Sequence, residues 1–241
     1  PFVIRNAANR AGDGRIVVQV PLTTYHAYNA WGGASLYRYN SPDGVARELA
    51  IRRPFDVFNG AGFLFYGDWQ FARWLAREGR RASWITSFDL HRDPTVVERA
   101  RLFVSVFHDE YWSTPMRQTL EGFVASGGNA AFFAANSIYW RIRLSDSTLT
   151  CHKARQWSDD PHPDITATWR HDLVGRPEAE LLGSQYVDYV HYGTGYDWTV
   201  TAADHWIYRG TGLRDGDRIG GLVGYEWDHV PDSDLAGLTV L

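Results

Sequence analysis

Four short apolar segments separated by helical patterns constrain the fold of this chain most strongly. The segments comprise residues 15–20, 82–86, 102–107 and 129–135. Apolar residues at helical spacing, with candidate capping residues, lie at residues 66–79, 94–101 and 113–125. This alternation predicts an α/β domain with a doubly wound parallel sheet of flavodoxin-like type.

The other segments are predicted to elaborate this sheet within a single domain spanning residues 1–241. The polar and aromatic residues 23–33 are interpreted as a loop. Residues 34–63 are rich in Gly, Asn, Pro and Arg and indicate an irregular excursion. Residues 139–144 and 149–153 predict a hairpin within an insertion that extends to residue 215. The apolar run 219–225 is expected to rejoin the sheet as a buried strand.

The composition excludes several classes of protein. A formal net charge of −4 provides no basic surface for nucleic acid or anionic lipid. The single cysteine, Cys151, excludes an internal disulfide and a cysteine-based zinc site, and it agrees with a cytoplasmic location. No apolar stretch reaches the roughly 18 residues that a membrane helix requires. Because the sequence begins at Pro1 without Met, we interpret it as a processed product or a piece of a longer polypeptide.

His108 and Glu110 directly follow the third apolar segment, where parallel sheets place their chemistry. We expect these two side chains to converge through a change of backbone geometry at Asp109, which the end of a strand permits. Convergence would let the imidazole and the carboxylate bind a metal ion or share a proton. Alternatively, both residues cap the next helix or bind loop backbone, and the spacing alone does not separate these interpretations.

Tyr25 and Tyr28 follow the first apolar segment, so we expect them at the same edge of the sheet as His108. A tyrosinate is a hard anionic donor. Together with imidazole and carboxylate it suits a hard ion such as Fe(III) better than zinc or copper. Either tyrosine could instead pack among aromatic side chains with its hydroxyl group hydrogen-bonded.

Asn136 and Glu226 follow two further apolar segments. The amide of Asn136 could polarise a carbonyl group or simply close a turn. Glu226 lies between two aromatic residues and could transfer protons or pair with an arginine. Cys151 lacks the flanking glycines of a nucleophile on a tight turn. The sequence contains neither G-x-S-x-G nor a phosphate-binding loop, so a nucleotide cofactor has no support.

These motifs together resemble the C-terminal region of the large (beta) subunit family of N,N-dimethylformamidase. The resemblance covers nearly the whole chain and rests on TYHAYNAWGG at 24–33, HDEYWS at 108–113, GGN at 127–129, Asn136 with the following Tyr139 and Trp140, and GLVGYEWD at 221–228. It implies a glutamine-amidotransferase-like fold. It also implies a mononuclear iron held by Tyr28, His108 and Glu110, with Tyr25 as a neighbouring option for the tyrosine.

The resemblance further implies an amidohydrolase that cleaves a small amide within a larger, oligomeric enzyme. The supporting residues of the family fall on Asn136 and Glu226, and a lysine near its site falls on Lys153. Phe107 is a departure, because the family usually has glycine before the histidine. Two alternatives remain. One is a non-catalytic amidotransferase-like module that binds a glycan or a protein through its aromatic side chains, and the other is a metal-free hydrolase that depends on Cys151.

Overall fold

The computed structural model describes residues 16–56, 60–153, 160–191, 193–232, 235 and 237–241. Residue 15 of the first predicted strand and residues 57–59 of the predicted excursion lie outside the described residues. The chain divides into two compact units, Pro1–Glu178 and Ala179–Leu241. The extent of a single domain over residues 1–241 stays a prediction.

The first unit alternates strands and helices in its N-terminal part and ends in a hairpin. In chain order its elements are β1 Ile16–Val20, α1 Leu22–Tyr28, β2 Glu48–Ala50, α2 Asp68–Arg77, β3 Ser83–Thr86, α3 Ser87–Arg92, β4 Leu102–Val106, β5 Tyr111–Ser113, α4 Thr114–Ala125, β6 Asn129–Phe133, β7 Trp140–Leu144 and β8 Thr148–Thr150. Short 3-10 helices lie at Arg38–Asn40 and Pro94–Val97. None of the described helices is long and apolar enough to cross a membrane.

A four-stranded parallel sheet forms the centre of this unit, with the strand order β3-β1-β4-β6. Val18 in β1 lies opposite Trp84 on one side and Val104 on the other. Consecutive residues of β1 and β4 are buried, because these apolar, β-branched strands are covered on both faces. The α/β class predicted from the sequence is confirmed.

Local capping signals set the starts of two helices around this sheet. Thr86 and Asp89 form a reciprocal capping box at the start of α3. Ser113 accepts a hydrogen bond from the backbone N–H of Met116 at the start of α4, and Pro115 lies in its first turn. These caps allow α3 and α4 to begin directly after β3 and β5.

A second sheet of the same unit has the strand order β2-β8-β7-β5. β7 and β8 pair in antiparallel fashion, which confirms the predicted hairpin. β5 pairs in parallel with β7, and Tyr111 lies opposite Trp140. The short segment between β4 and β5 therefore connects the two sheets, and it contains His108 and Glu110.

The second unit contains α5 Ala179–Leu182, β9 Gln185–Tyr189, β10 Gly195–Thr199, β11 Arg218–Gly224 and β12 Glu226–His229. β10 pairs with β11 and β12 pairs with β9, both in antiparallel fashion. The expectation that residues 219–225 rejoin the parallel sheet as a buried strand is wrong, because β11 pairs with β10 and is largely exposed. Its glycines provide no side chains to bury, so the apolar run forms an exposed two-stranded ladder.

Three other expectations differ from the structure. The first part of the loop expected at residues 23–33 is the helix α1. Its residues 23–27 are all buried although several are polar, so the sequence shows no amphipathic pattern. The helix expected at residues 94–101 is only a 3-10 turn, in which Val97 is the buried residue. The strand expected to be buried at residues 129–135 is the edge strand β6, and Phe133 is 62% exposed there.

We predict that Gly67→Ala destabilises the protein by about 1–3 kcal/mol, because added atoms would overpack this position. Gly67 precedes α2, and a Cβ at this position would lie 2.2 Å from Cγ of Phe107. Gly122→Ala is the matched control. An added Cβ at the exposed Gly122 in α4 meets no atom within 4 Å, and alanine favours a helix by up to about 1 kcal/mol. Urea unfolding measures both variants, and an unchanged midpoint for Gly67→Ala would contradict the close packing.

Candidate metal centre

The chain turns sharply at Phe107, directly after β4. Phe107 has a φ of +56°, in the left-handed region that bulky residues rarely adopt. After this turn the side chains of His108 and Glu110 converge, with 3.3 Å between His108 Nε2 and Glu110 Oε2. A change of backbone geometry was expected at Asp109, but the residue with a left-handed φ is Phe107. Side chains two residues apart on extended backbone share one face, so their convergence needs no change at Asp109.

Asp109 lies between these two residues and is fully buried. Its Oδ2 accepts hydrogen bonds from Gln19 Nε2 at 2.7 Å and from Ser105 Oγ at 2.6 Å, and its Oδ1 accepts one from Trp112 Nε1 at 2.8 Å. Burial raises the pKa of the Asp109 carboxyl to about 6, although these hydrogen bonds oppose the shift. Asp109 thereby fixes the segment to β1, β4 and β5.

The backbone of Glu110 is held from two sides. Its N–H donates to Thr24 Oγ1 in α1 at 3.0 Å. Its carbonyl oxygen accepts hydrogen bonds from the N–H groups of Tyr139 and Trp140, both at 2.9 Å. Asn136 is buried with a φ of +56° and belongs to the same loop after β6. The structure thus brings Asn136 to the edge of the sheet that carries Glu110, while its role in binding a carbonyl group stays a prediction.

Tyr28, the last residue of α1, completes a cluster of three donor atoms. Its Oη lies 2.7 Å from His108 Nε2 and donates to Glu110 Oε2 at 2.9 Å. Ligand atoms that share one ion through bonds of about 2.0–2.2 Å lie roughly 2.8–3.4 Å apart, and the three atoms are close to this spacing. A phenol, an imidazole and a carboxylate also suit a hard ion. The residues present therefore fit a mononuclear metal site.

The Glu110 side chain is a carboxylate at neutral pH. Burial would raise the pKa of Glu110, but the hydrogen bond with His108 and the positive charge of Lys153 outweigh this effect, and the pKa falls to about 2. Tyr37 Oη also donates to Glu110 Oε2, at 2.8 Å. A buried carboxylate that stays ionised is suited to bind a cation.

Tyr25 does not join this cluster. Its hydroxyl donates to Asp68 at the start of α2, and its ring packs edge-on against two phenylalanines. Burial and the charge of Asp68 raise the pKa of Tyr25, so its phenol stays protonated. Of the two tyrosines that the sequence left open, Tyr28 is the one beside the His-x-Glu pair. Within the part of the chain that the structure describes, no group of three or more His, Cys, Asp or Glu could hold a metal ion, so a centre here depends on Tyr28.

Lys153 is linked to the cluster through two tyrosines that the sequence reasoning did not single out. Its Nζ donates to Tyr111 Oη at 2.7 Å, and Tyr111 Oη donates to Tyr37 Oη at 2.7 Å. Burial raises the pKa of Tyr37 and of Tyr111 well above the usual value. Tyr111 lies in the HDEYWS motif, directly after Glu110. Tyr37 lies in the irregular excursion, where no sequence pattern indicates its position.

Aromatic rings line another side of the cluster. The ring centre of Phe63 lies 5.3 Å from that of Tyr28 and 6.3 Å from that of His108. Phe107 packs against Phe63 and Tyr66, with ring centres 5.9 Å apart in both pairs. The donor atoms therefore lie beside an apolar wall, which limits the access of water to that side.

Cys151 is fully buried in the apolar cluster that contains Tyr111 and Leu149. Burial raises the pKa of its thiol to about 12, and a protonated, buried thiol is a poor nucleophile. Like the absence of flanking glycines in the sequence, this argues against Cys151 as a nucleophile. Glu226 belongs to the second unit, where it begins β12 opposite Tyr189. Its role in proton transfer stays a prediction.

The chain belongs to the family described as N,N-dimethylformamidase beta subunit-like, C-terminal, whose sequence model matches residues 1–241. The match includes both compact units and confirms the resemblance carried by the motifs. A search of curated proteins found no match.

We predict that Asp68→Asn removes a pH dependence of stability. Burial raises the pKa of Asp68 from 3.8 to about 7, so between these values the folded protein keeps a proton that the unfolded chain has released. The stabilisation is fully present below the unfolded value and is lost as the pH rises through the folded one. Relative to Asp68→Asn, the wild type should lose up to about 4 kcal/mol over this range.

Urea unfolding at a series of pH values between these limits measures the difference. Asp146→Asn serves as the control, since it makes the same chemical change at an exposed position. Equal slopes for Asp68→Asn and the wild type would show that Asp68 does not hold the proton.

Proposed function

We propose that this chain forms part of a metal-dependent amidohydrolase related to dimethylformamidase, with a mononuclear Fe(III) held by Tyr28, His108 and Glu110. The observation that carries the proposal is the convergence of the three donor atoms, 2.7, 2.9 and 3.3 Å from one another. Membership of the family supports a small amide, such as a formamide, as the substrate class. The proposal also places the chain in a larger, oligomeric enzyme, since the family is named after the C-terminal part of a beta subunit.

The chemistry of the donor set agrees with this reaction. A bound Fe(III) would act as a Lewis acid that polarises the amide carbonyl and lowers the pKa of a coordinated water. The buried Glu110 carboxylate, and the phenolate that Tyr28 would form by losing its proton when the ion binds, would supply anionic oxygen, which a trivalent ion favours. The rings of Phe63 and Phe107 exclude water from one side of the site and offer an apolar surface to the substituents of an amide nitrogen.

Hydrolysis of an amide adds water across the C–N bond. The water oxygen forms a bond to the carbonyl carbon, and the nitrogen leaves with its electron pair and takes up a proton as the amine. We assign to Asn136 the role of donating its amide N–H to the carbonyl oxygen, which gains negative charge as water adds. The proton transfer that the family resemblance implies for Glu226 stays a prediction.

We further propose that the parallel sheet is of the flavodoxin-like, glutamine-amidotransferase-like type. Numbered by their order along the chain, its four strands lie in the order 2-1-3-4. The flavodoxin-like order is 2-1-3-4-5, so the sheet agrees with its first four positions. Tyr28, His108 and Glu110 follow strands 1 and 3 of this order. A flavodoxin-like sheet binds small molecules at the switch point between these two strands.

We predict that purified protein contains iron and a visible tyrosinate-to-Fe(III) absorption band, and that Tyr28→Phe abolishes the band. Loss of the phenolate removes the group from which charge is transferred. Tyr25→Phe is the matched control, because Tyr25 lies on the same helix but donates to Asp68, and it should keep the band. Elemental analysis and absorption spectroscopy measure both outcomes. An iron-free wild type, or a band that persists in Tyr28→Phe, would refute the assignment of the ligands.

A further inference from the structure

A continuous chain of hydrogen bonds joins Lys153 to the candidate ligand Glu110. Lys153 Nζ donates to Tyr111 Oη at 2.7 Å, and Tyr111 Oη donates to Tyr37 Oη at 2.7 Å. Tyr37 Oη then donates to Glu110 Oε2 at 2.8 Å. All four residues belong to the first unit, in which Tyr111 is fully buried and Tyr37 is partly buried against the same apolar cluster.

The groups at the two ends set the direction of every bond in this chain. An ammonium group has donors only, so Tyr111 Oη must accept from Lys153 and use its own proton elsewhere. An ionised carboxylate has acceptors only, so Tyr37 must donate to Glu110. The hydroxyl groups in between therefore point in one direction, from the lysine to the glutamate. Tyr28 differs from both of these tyrosines because its oxygen lies beside His108 Nε2 as well as Glu110 Oε2.

Aromatic packing holds the ammonium group in its place. Lys153 Nζ lies 3.4 Å from the ring centre of Tyr37 and 5.0 Å from that of Trp140. Such cation–π contacts stabilise a desolvated ammonium group on the faces of the rings. Tyr37 in turn stacks on Tyr28, with ring centres 4.1 Å apart. The lysine is thus part of the packing that surrounds the donor atoms.

We propose that Tyr37, Tyr111 and Lys153 act together as positioning residues for Glu110, a role that in its metal-binding part rests on the proposed function. The oriented hydroxyl groups hold Glu110 Oε2 towards Tyr28 and His108 and withdraw charge from the carboxylate. Lys153 acts on the centre through the two tyrosines, so it is a positioning residue rather than a catalytic one. Partners of this kind orient ligands and tune the ion that they bind.

A double-mutant cycle on metal-free protein tests the chain of hydrogen bonds by itself. Tyr37→Phe removes only the hydroxyl and keeps the ring that contacts Lys153. We expect Lys153→Met to change the unfolding equilibrium constant at least about fivefold less in the Tyr37→Phe background than in the wild type, because groups in one network are coupled. Tyr39→Phe is the control. Its exposed ring lies in the 3-10 helix that Tyr37 directly precedes, and its effect should add to that of Lys153→Met. Additive effects of Tyr37→Phe and Lys153→Met would overturn the proposal.

Iron-loaded protein tests the effect on the ligand. Tyr37→Phe and Tyr111→Phe should each lower the affinity for Fe(III) by about 10–100-fold. Each should also move the tyrosinate-to-Fe(III) band to shorter wavelength, because a carboxylate without its donor gives more charge to the ion. Iron binding with an unchanged band and affinity in both variants would overturn the positioning role. Absence of iron from the wild type would refute the proposed function instead, and the metal-free cycle would then decide the hydrogen-bonded chain separately.

Discussion

The buried carboxylate of Asp109 is the interaction on which the candidate metal centre depends. It lies between the two residues of the His-x-Glu pair and accepts hydrogen bonds from Gln19, Ser105 and Trp112, on three different strands. Burying a carboxylate is costly unless its acceptor positions are used, so these donors must be kept in place for the fold to be stable. The side chains of His108 and Glu110, on either side of Asp109 in the sequence, then lie at the carboxyl edge of the sheet. The core thus orients His108 and Glu110, although both lie on a connecting segment.

The tyrosines around the centre differ in role because they differ in their partners. Tyr25 donates to the carboxyl group of Asp68 and remains a phenol in the interior. Tyr37 donates to Glu110 and accepts from a second tyrosine, so it transmits a hydrogen bond. Tyr28 contacts both an imidazole and a carboxylate, which is the environment of a ligand to a shared ion. Residue type alone does not distinguish these roles, and neither does position on one helix, since Tyr25 and Tyr28 both belong to α1.

The parallel sheet and the edge where the candidate ligands meet could be predicted, because both follow from local patterns. Apolar runs form strands, and the residues that follow them share an edge. The helix α1 could not be predicted from the sequence, because a helix that is buried on nearly every side has no amphipathic period. The position of Tyr37 depends on the folding of residues 34–63, and tertiary contacts determine that folding. Arg53, for example, donates to four backbone carbonyl groups between residues 26 and 34. Such contacts between distant residues leave no periodic pattern in the sequence.

Phe107 combines a left-handed backbone with a ring that packs directly against Gly67. Glycine at position 107 would relieve the backbone and vacate the space that the ring occupies. A side chain at position 67 fits only when that ring is absent. The two positions are therefore interdependent, and each restricts what the other tolerates. In related sequences we therefore expect a residue larger than glycine at position 67 only where position 107 is glycine. Where position 107 is phenylalanine, we expect glycine at position 67. The contact therefore predicts that two positions forty residues apart covary during evolution.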